Sequence, residues 1–162
     1  MIRTASSVAP LVLRAETAAD LMAPNPISLR AEAKVAEAIA LFTEKGIAAA
    51  PVIDDAGRPI GVLSRSDVLV HHCEHHRHGE RKPEYFFAGS DAEQDVRPTG
   101  GLTVADLMTP AVFAVAPDTP VHRVVSDMVG LHVHRLFVVD DAGVLIGVIS
   151  AMDVLRHLEP EE

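Results

Sequence analysis

The chain has 162 residues, 48% of them hydrophobic, and a formal net charge of −9 at pH 7. This composition suffices for one ordinary domain, or two very small ones, with a real core. The negative charge argues against a nucleic-acid or membrane partner, because broad surfaces for either need a clustered positive field. A single cysteine, Cys73, and the absence of a long apolar run near the N-terminus predict a reduced, cytoplasmic protein.

An internal repeat is the most informative feature of the sequence. Residues 17–72 align without a gap with residues 103–158, at an offset of 86 residues. The motifs ADLM, DDAG, IGV and DVL recur in the same order in both copies. A duplicated supersecondary unit therefore divides the chain into an N-terminal segment 1–16, the first copy, an insert 73–102, the second copy and a tail 159–162.

The residue pattern of each copy predicts the order strand, helix, strand, strand, helix. A short extended stretch follows ADLM, and the next segment shows apolar residues near a 3.6-residue period. In the first copy this helix ends where Gly46 suits a C-cap. In the second copy Asp118 or Thr119 can cap its start, and Pro120 suits its first position.

Two β-branched runs follow in each copy, separated by a loop in which Gly57 or Gly143 can adopt a positive φ. The last helix then begins at Ser64 or Ser150. One copy alone buries too little surface to be stable, and its strands are apolar on both faces. We therefore expect an α/β (α+β) fold of two pseudo-symmetric β-α-β-β-α repeats, packed sheet to sheet, with two equivalent clefts between them.

The combination of ADLMxP, VxDDxG and IGVxSxxDVL, present twice, resembles the cystathionine-β-synthase (CBS) domain in the tandem arrangement called a Bateman module. The resemblance covers both copies. It implies a regulatory module that binds an adenosine-containing ligand, such as AMP, ADP, ATP, NAD(H) or S-adenosylmethionine, in the clefts between the repeats. We expect the ligand to be an adenine nucleotide, no cofactor to be obligatory, and the module to signal to a separate, unknown effector protein.

A serine stands three positions before an aspartate at the last helix of each copy, in SRSD and SAMD. Ser64 and Ser150 can cap these helices together with Asp67 and Asp153, which explains the pattern without a ligand. The resemblance implies a second role, in which the aspartate accepts hydrogen bonds from the ribose hydroxyls and the serine assists beside it. The two roles are compatible.

The second copy also contains VHRLFVVD, in which His134 and Arg135 precede a buried strand. The first copy has Ala48 and Ala49 at these positions. The segment is similar to the phosphate-binding HRLxVVD stretch of the γ subunits of AMP-activated protein kinase, and arginine offers a planar donor fork for phosphate. The alternative is a surface arginine paired with an acid. The asymmetry predicts two unequal clefts.

Other positions have a structural and a functional interpretation. Gly61 and Gly147 lie inside apolar strands, which indicates either close packing at the pseudo-twofold axis or a purine against the backbone. Ile27 and Val112 match positions that contact adenine in the family, and they could equally be core. The predicted ligand-binding residues are therefore Ile27, Ala49, Ser64, Arg65, Asp67, Val112, His134, Arg135, Ser150 and Asp153.

The insert opens with HHCEHHRHG, which places His71 with His75, and His72 with His76, at i,i+4 spacing if the helix continues. Such pairs can chelate zinc or nickel. No second cluster completes a tetrahedral set, so we predict no metal site. We expect a helical extension followed by a linker, whose aromatic residues 85–87 dock on the module or on a second subunit.

No catalytic arrangement of residues is recognisable by motif, so the protein is not predicted to be an enzyme. Two alternatives to nucleotide sensing remain: a metal-responsive protein that uses residues 71–78, and a dimerisation scaffold that binds no ligand. We also expect a homodimer, because family modules usually pair through helices and VVSDMVGL is an apolar helix.

Overall fold

A computed structural model of the protein describes residues 9–78 and 101–161, without the side chains of residues 75–78. The predicted docking of residues 85–87 and the side chains of His75 and His76 therefore lie outside the described residues. Within them the chain forms two compact units. Unit 1 contains the chain up to Pro26, the turn Ala56–Pro59 and the chain from Val112 onward, and unit 2 contains the remainder.

The described chain contains both helices and strands, which confirms the mixed fold class. In chain order they are β1 (Leu11–Leu13), α1 (Ala18–Leu21), β2 (Ala23–Pro24), β3 (Leu29–Arg30), α2 (Val35–Lys45), β4 (Ala49–Ile53), β5 (Pro59–Ser64), α3 (Arg65–His78), α4 (Val104–Leu107), β6 (Ala114–Val115), α5 (Val121–Gly130), β7 (Arg135–Val139), β8 (Leu145–Ser150), α6 (Ala151–Arg156) and β9 (Leu158–Pro160). No helix in the described stretches is long and apolar enough to cross a bilayer.

Unit 1 is built on a four-stranded sheet in the order β2-β8-β7-β6. β6 runs parallel to β7, whereas β8 is antiparallel to both β7 and β2. A separate two-stranded sheet joins β1 to β9 and so ties the beginning of the described chain to its end. The buried core contains Ala18, Leu21, Val115, Val124, Met128, Leu136, Val138 and Ile149.

Unit 2 contains a three-stranded sheet in the order β3-β4-β5, in which β3 runs parallel to β4. Val62 forms an isolated antiparallel bridge with Thr109. By the 86-residue offset, this bridge corresponds to the pairing of Val148 with Ala23 in unit 1. The buried core contains Leu29, Ala38, Phe42, Ala50, Val52, Leu63 and Val104.

The short helices α1 and α4 are exchanged between the two sequence copies. α1 comes from the first copy but belongs to unit 1, where Ala18 N donates to Thr119 O at 2.8 Å. α4 comes from the second copy but belongs to unit 2, where Val104 N donates to Ala33 O at 2.8 Å. Each compact unit therefore contains parts of both copies.

The two strand glycines make this exchange possible. A Cβ on Gly61 would lie 2.8 Å from the carbonyl oxygen of Thr109, and a Cβ on Gly147 would clash with the Met22 side chain. Met22 follows α1 and Thr109 follows the α4 segment, so each glycine is covered by the exchanged helix of its own unit. Close packing therefore explains both glycines, but the contacts shown lie within each unit, against the segments that follow α1 and α4.

The local turn predictions are confirmed at three glycines and wrong at one helix start. Gly46 caps α2 with φ 65°, and Gly57 and Gly143 both have φ 78°. Pro120, however, is the N-cap of α5 and not its first residue, and no side chain caps this helix. The backbone just before α1 replaces that cap, because Val121 N donates to Glu16 O at 2.9 Å.

Candidate ligand site

Four of the predicted residues meet at one end of the sheet of unit 1. Arg135 begins β7 and pairs with Ser150, the last residue of β8. Ala151 N donates to His134 O at 3.0 Å, which fixes His134 beside the start of α6. Asp153 lies in the first turn of that helix. The cationic pair and the serine–aspartate pair are therefore neighbours, as the two motifs require if they serve one ligand.

The apolar side of this end comes from the segment before β6. Phe137 N donates to Phe113 O at 2.9 Å, and β6 runs parallel to β7. Val112 and Phe113 therefore lie next to the strand start that carries Arg135. Val112 is among the predicted ligand-binding residues, whereas Phe113, which is 37% exposed, is not. Strict use of the 86-residue offset would have found Phe113, because it aligns with Ile27.

Asp153 completes a capping box with one of its two carboxylate oxygens. Its Oδ2 accepts hydrogen bonds from Ser150 N at 2.8 Å and from Ser150 Oγ at 2.6 Å, while Asp153 N donates to Ser150 Oγ at 3.2 Å. Among the described residues, its Oδ1 contacts only an exposed arginine, Arg156, at 3.4 Å. Capping therefore leaves one carboxylate oxygen for a further donor, so the capping and ribose roles do not compete.

The His134 and Arg135 side chains of this end are exposed. Neither His134 nor Arg135 forms an ion pair with any residue of the described chain. The alternative interpretation of Arg135 was a surface arginine paired with an acid, and no acid of the described residues forms that pair. An exposed guanidinium beside an exposed imidazole is suited to an anion.

Unit 2 brings its predicted residues together at the corresponding end. Ala49 begins β4, Ser64 ends β5, and Arg65 N donates to Ala48 O at 2.9 Å. Ile27 precedes β3, which runs parallel to β4, and is 41% exposed. Asp67 repeats the capping box, since its Oδ2 accepts from Ser64 N at 2.8 Å and Ser64 Oγ at 2.7 Å.

Arg65 has a structural contact that the sequence did not reveal. Its Nη2 donates to the carbonyl oxygen of Phe42 at 2.7 Å, in the last turn of α2. The same oxygen also accepts Ile47 N at 3.1 Å. A cation at a helix C-terminus is favourable because the carbonyl groups there carry partial negative charge. The ligand role of Arg65 stays a prediction, and one of its nitrogens is already used.

Two further aspartates form capping boxes away from these ends. The pKa of Asp20 is lowered, first by the backbone N–H of Thr17 and then by that of Glu16. The pKa of Asp106 is lowered, first by the backbone N–H of Thr103 and then by its hydroxyl. These two carboxylates cap the exchanged helices α1 and α4.

The histidine-rich end of α3 shows no metal site in the part of the chain described. No group of three or more histidine, cysteine, aspartate or glutamate side chains is positioned there to hold a metal ion. His71 and His72 line an apolar groove of about 410 Å³ in unit 2. That groove is formed mainly by Ile39, Phe42, Val68, Leu69 and Leu107.

Comparison with known proteins identifies both copies. The family model described as "CBS domain" matches residues 18–72 and 104–160, which is more than half of the chain. Among curated proteins, the uncharacterized protein MJ1426 of Methanocaldococcus jannaschii is 26% identical over 145 residues, covering 83% of this chain and 86% of that protein. Several longer relatives are matched over only 14% to 25% of their own length, so this chain corresponds to a small part of each.

Two solved structures extend the comparison to ligands. CBSX2 of Arabidopsis thaliana, in complex with AMP, is 28% identical with a TM-score of 0.66, over 88% of this chain and 95% of that one. The cytosolic domain of the Mg²⁺ channel MgtE, in complex with ATP, is 27% identical with a TM-score of 0.63. That match covers 87% of this chain and 48% of that one.

Proposed function

Because the chain belongs to the CBS domain family and carries the domain twice, we propose that it is a regulatory module that binds an adenine nucleotide and signals its occupancy to a separate effector protein. Two related modules support this proposal, since CBSX2 was solved with AMP and the MgtE domain with ATP. The nucleotide is a ligand, and the proposed module needs no obligatory cofactor and performs no catalysis.

The observation that carries the proposal is the meeting of Arg135 with Ser150 at one end of unit 1. This pairing places possible donors to a phosphate beside the Ser150–Asp153 capping box, which offers an acceptor for ribose hydroxyls. Arg135 and His134 hold the phosphate, and Oδ1 of Asp153 accepts the ribose hydroxyls. Phe113 and Val112 offer apolar surface for the adenine ring, which pairs well with an exposed aromatic side chain.

Calorimetric titration of AMP and adenosine tests this assignment. A hydrogen bond to a charged group contributes about 1.5–3 kcal/mol, so Arg135→Ala should weaken AMP by about 10- to 150-fold. Adenosine lacks the phosphate and should be nearly unaffected. Asp153→Ala should weaken both ligands, because both carry the ribose.

Arg123→Ala is the matched control, since Arg123 is an exposed arginine of the same unit that pairs with Asp127 on its own helix. It should change neither affinity. Unchanged AMP affinity in both Arg135→Ala and Asp153→Ala would refute the site.

A homodimer is part of the proposal and rests on exposed apolar side chains. On α3, Leu69 is 62% exposed and Val70 is 55% exposed. Leu69 also lines the apolar groove together with Ile39, which is 37% exposed, and an exposed apolar patch is typical of protein–protein contacts. A second copy is the proposed partner of this surface.

The proposed compartment is the cytoplasm. Cys73 is the single cysteine of the chain, and it is exposed and forms no disulfide. An exposed free thiol is typical of a reducing compartment.

A further inference from the structure

The two units present different charges at corresponding ends. In unit 1 the positions that begin β7 and precede it are Arg135 and His134, and both are exposed. In unit 2 the corresponding positions are Ala49 and Ala48. Neither alanine can donate a side-chain hydrogen bond, so unit 2 lacks the phosphate donors of unit 1 at these positions.

The arginine that unit 2 carries nearby is committed elsewhere. Arg65 takes the place of Ala151, and its Nη2 donates at 2.7 Å to the carbonyl oxygen of Phe42. Moving this guanidinium to a phosphate would break a charge-assisted bond to the end of α2. Arg65 is therefore a poor substitute for Arg135.

Unit 2 nevertheless has counterparts of the groups proposed to contact the ribose and the adenine in unit 1. Asp67 accepts two hydrogen bonds from Ser64 through Oδ2, and its Oδ1 accepts none from the described residues. This geometry matches that of Asp153 in unit 1. Ile27 is an exposed apolar side chain beside β4, where Phe113 stands beside β7 in unit 1.

We propose that the two ends select ligands by charge: unit 1 binds a 5′-phosphorylated adenine nucleotide, and unit 2 binds an adenine nucleoside without a charged 5′ group. This inference rests on the proposed function, since it extends the same ribose and adenine contacts to unit 2. Among the described residues, Ala48 and Ala49 give a phosphate no side-chain donor at this end of unit 2, so removing the phosphate from water there is costly. An uncharged 5′ group avoids that cost.

Equilibrium dialysis of the full chain with labelled AMP and labelled adenosine tests the division. AMP should bind at one equivalent per chain and be lost in Arg135→Ala. Adenosine should bind at two equivalents, and one should persist when AMP is saturating. That persistent equivalent should disappear in Asp67→Ala and remain in Asp153→Ala.

Each outcome separates this inference from the proposed function. No AMP binding at all would refute the proposed function. Two results with the parent protein, in which Arg135 is intact, would overturn the inference and leave the proposed function standing. One is the binding of AMP at two equivalents, and the other is the displacement of both adenosine equivalents by AMP.

A gain-of-function variant provides an independent arm. Ala48→His combined with Ala49→Arg transfers the donors of unit 1 to unit 2, and at least Ala48 is exposed. This double variant should bind a second equivalent of AMP, which Asp67→Ala should remove again. A folded double variant, judged by its melting curve, that still binds one equivalent would contradict the role given to the two alanines.

Discussion

The carbonyl oxygen of Thr109 lies 2.8 Å from the position that a Cβ on Gly61 would occupy. Because a backbone oxygen cannot move aside alone, Gly61→Ala should destabilise the protein by about 1–3 kcal/mol, the usual cost of overpacking. Gly147→Ala meets the flexible Met22 side chain and should cost less. Urea unfolding of both variants checks this order, and equal losses would show that the backbone contact is unimportant.

His132 adopts a left-handed conformation, with φ 56°, at the position that corresponds to Gly46. A side chain with a Cβ is disfavoured there by about 1–2 kcal/mol, whereas glycine is not. His132→Gly should therefore raise the free energy of unfolding by about 0.5–1 kcal/mol, after the entropy cost of glycine. Gly46→Ala is the reciprocal control and should lower it. A destabilised His132→Gly would mean that the imidazole makes a compensating contact.

Acid should remove the caps of α1 and α4. The pKa values of Asp20 and Asp106 are lowered from 3.8 in the folded chain, so the unfolded state binds more protons in that range. Their stabilisation is complete above the unfolded pKa and is lost as the pH falls through the folded one. The double variant Asp20→Asn, Asp106→Asn should show a flatter decline of stability below about pH 4. Urea titrations at successive pH values measure it, and an unchanged slope would refute the prediction.

Ser150 and Asp153 should differ in what their loss does. Ser150→Ala removes an N-cap acceptor and should cost about 0.5–2 kcal/mol of stability with little loss of AMP affinity. Asp153→Ala should lose stability and affinity together, because Oδ1 is the proposed ribose acceptor. Melting curves and calorimetry on the same samples separate the two effects. Equal affinity losses in the two variants would indicate a direct ligand contact by the serine.

Leu69 should be a contact of the homodimer. Leu69→Asp places a charge in the apolar groove and should shift light-scattering mass from dimer to monomer at micromolar concentration. Leu11→Asp is a matched control, since Leu11 is 60% exposed but lies on β1. It should remain dimeric. A monomeric parent protein would contradict the proposed assembly.

Much of the fold could be predicted because the sequence contains the same structural unit twice. A weak signal in one copy, such as the short strand β3, was supported by its counterpart β6. The glycines at 46, 57 and 143 indicated their turns because a positive φ favours a residue without a Cβ. The positive φ of His132 could not be predicted in this way, because the turn prediction relies on glycine and a histidine does not by itself indicate that conformation.

The relations between distant segments could not be predicted. A repeat shows that ADLM precedes a strand, but not which sheet it covers, so the exchange of α1 and α4 was missed. The pairing of β1 with β9 involves three residues on each side, too few for a pattern. The bond of Arg65 to Phe42 depends on tertiary contact between α2 and α3. At the candidate site, the motifs identified Arg135 and Asp153, but only the register showed that they meet.

Because α1 and α4 are exchanged, the boundaries of the duplicated sequence differ from the boundaries of the compact units. Ala18 and Leu21 are buried in unit 1, although the rest of their copy builds unit 2. A cut anywhere between the copies would take one short helix away from each core and expose Gly61 and Gly147. Neither half is then a self-sufficient domain, whereas the two halves mixed as separate polypeptides carry every piece needed to restore both cores by complementation.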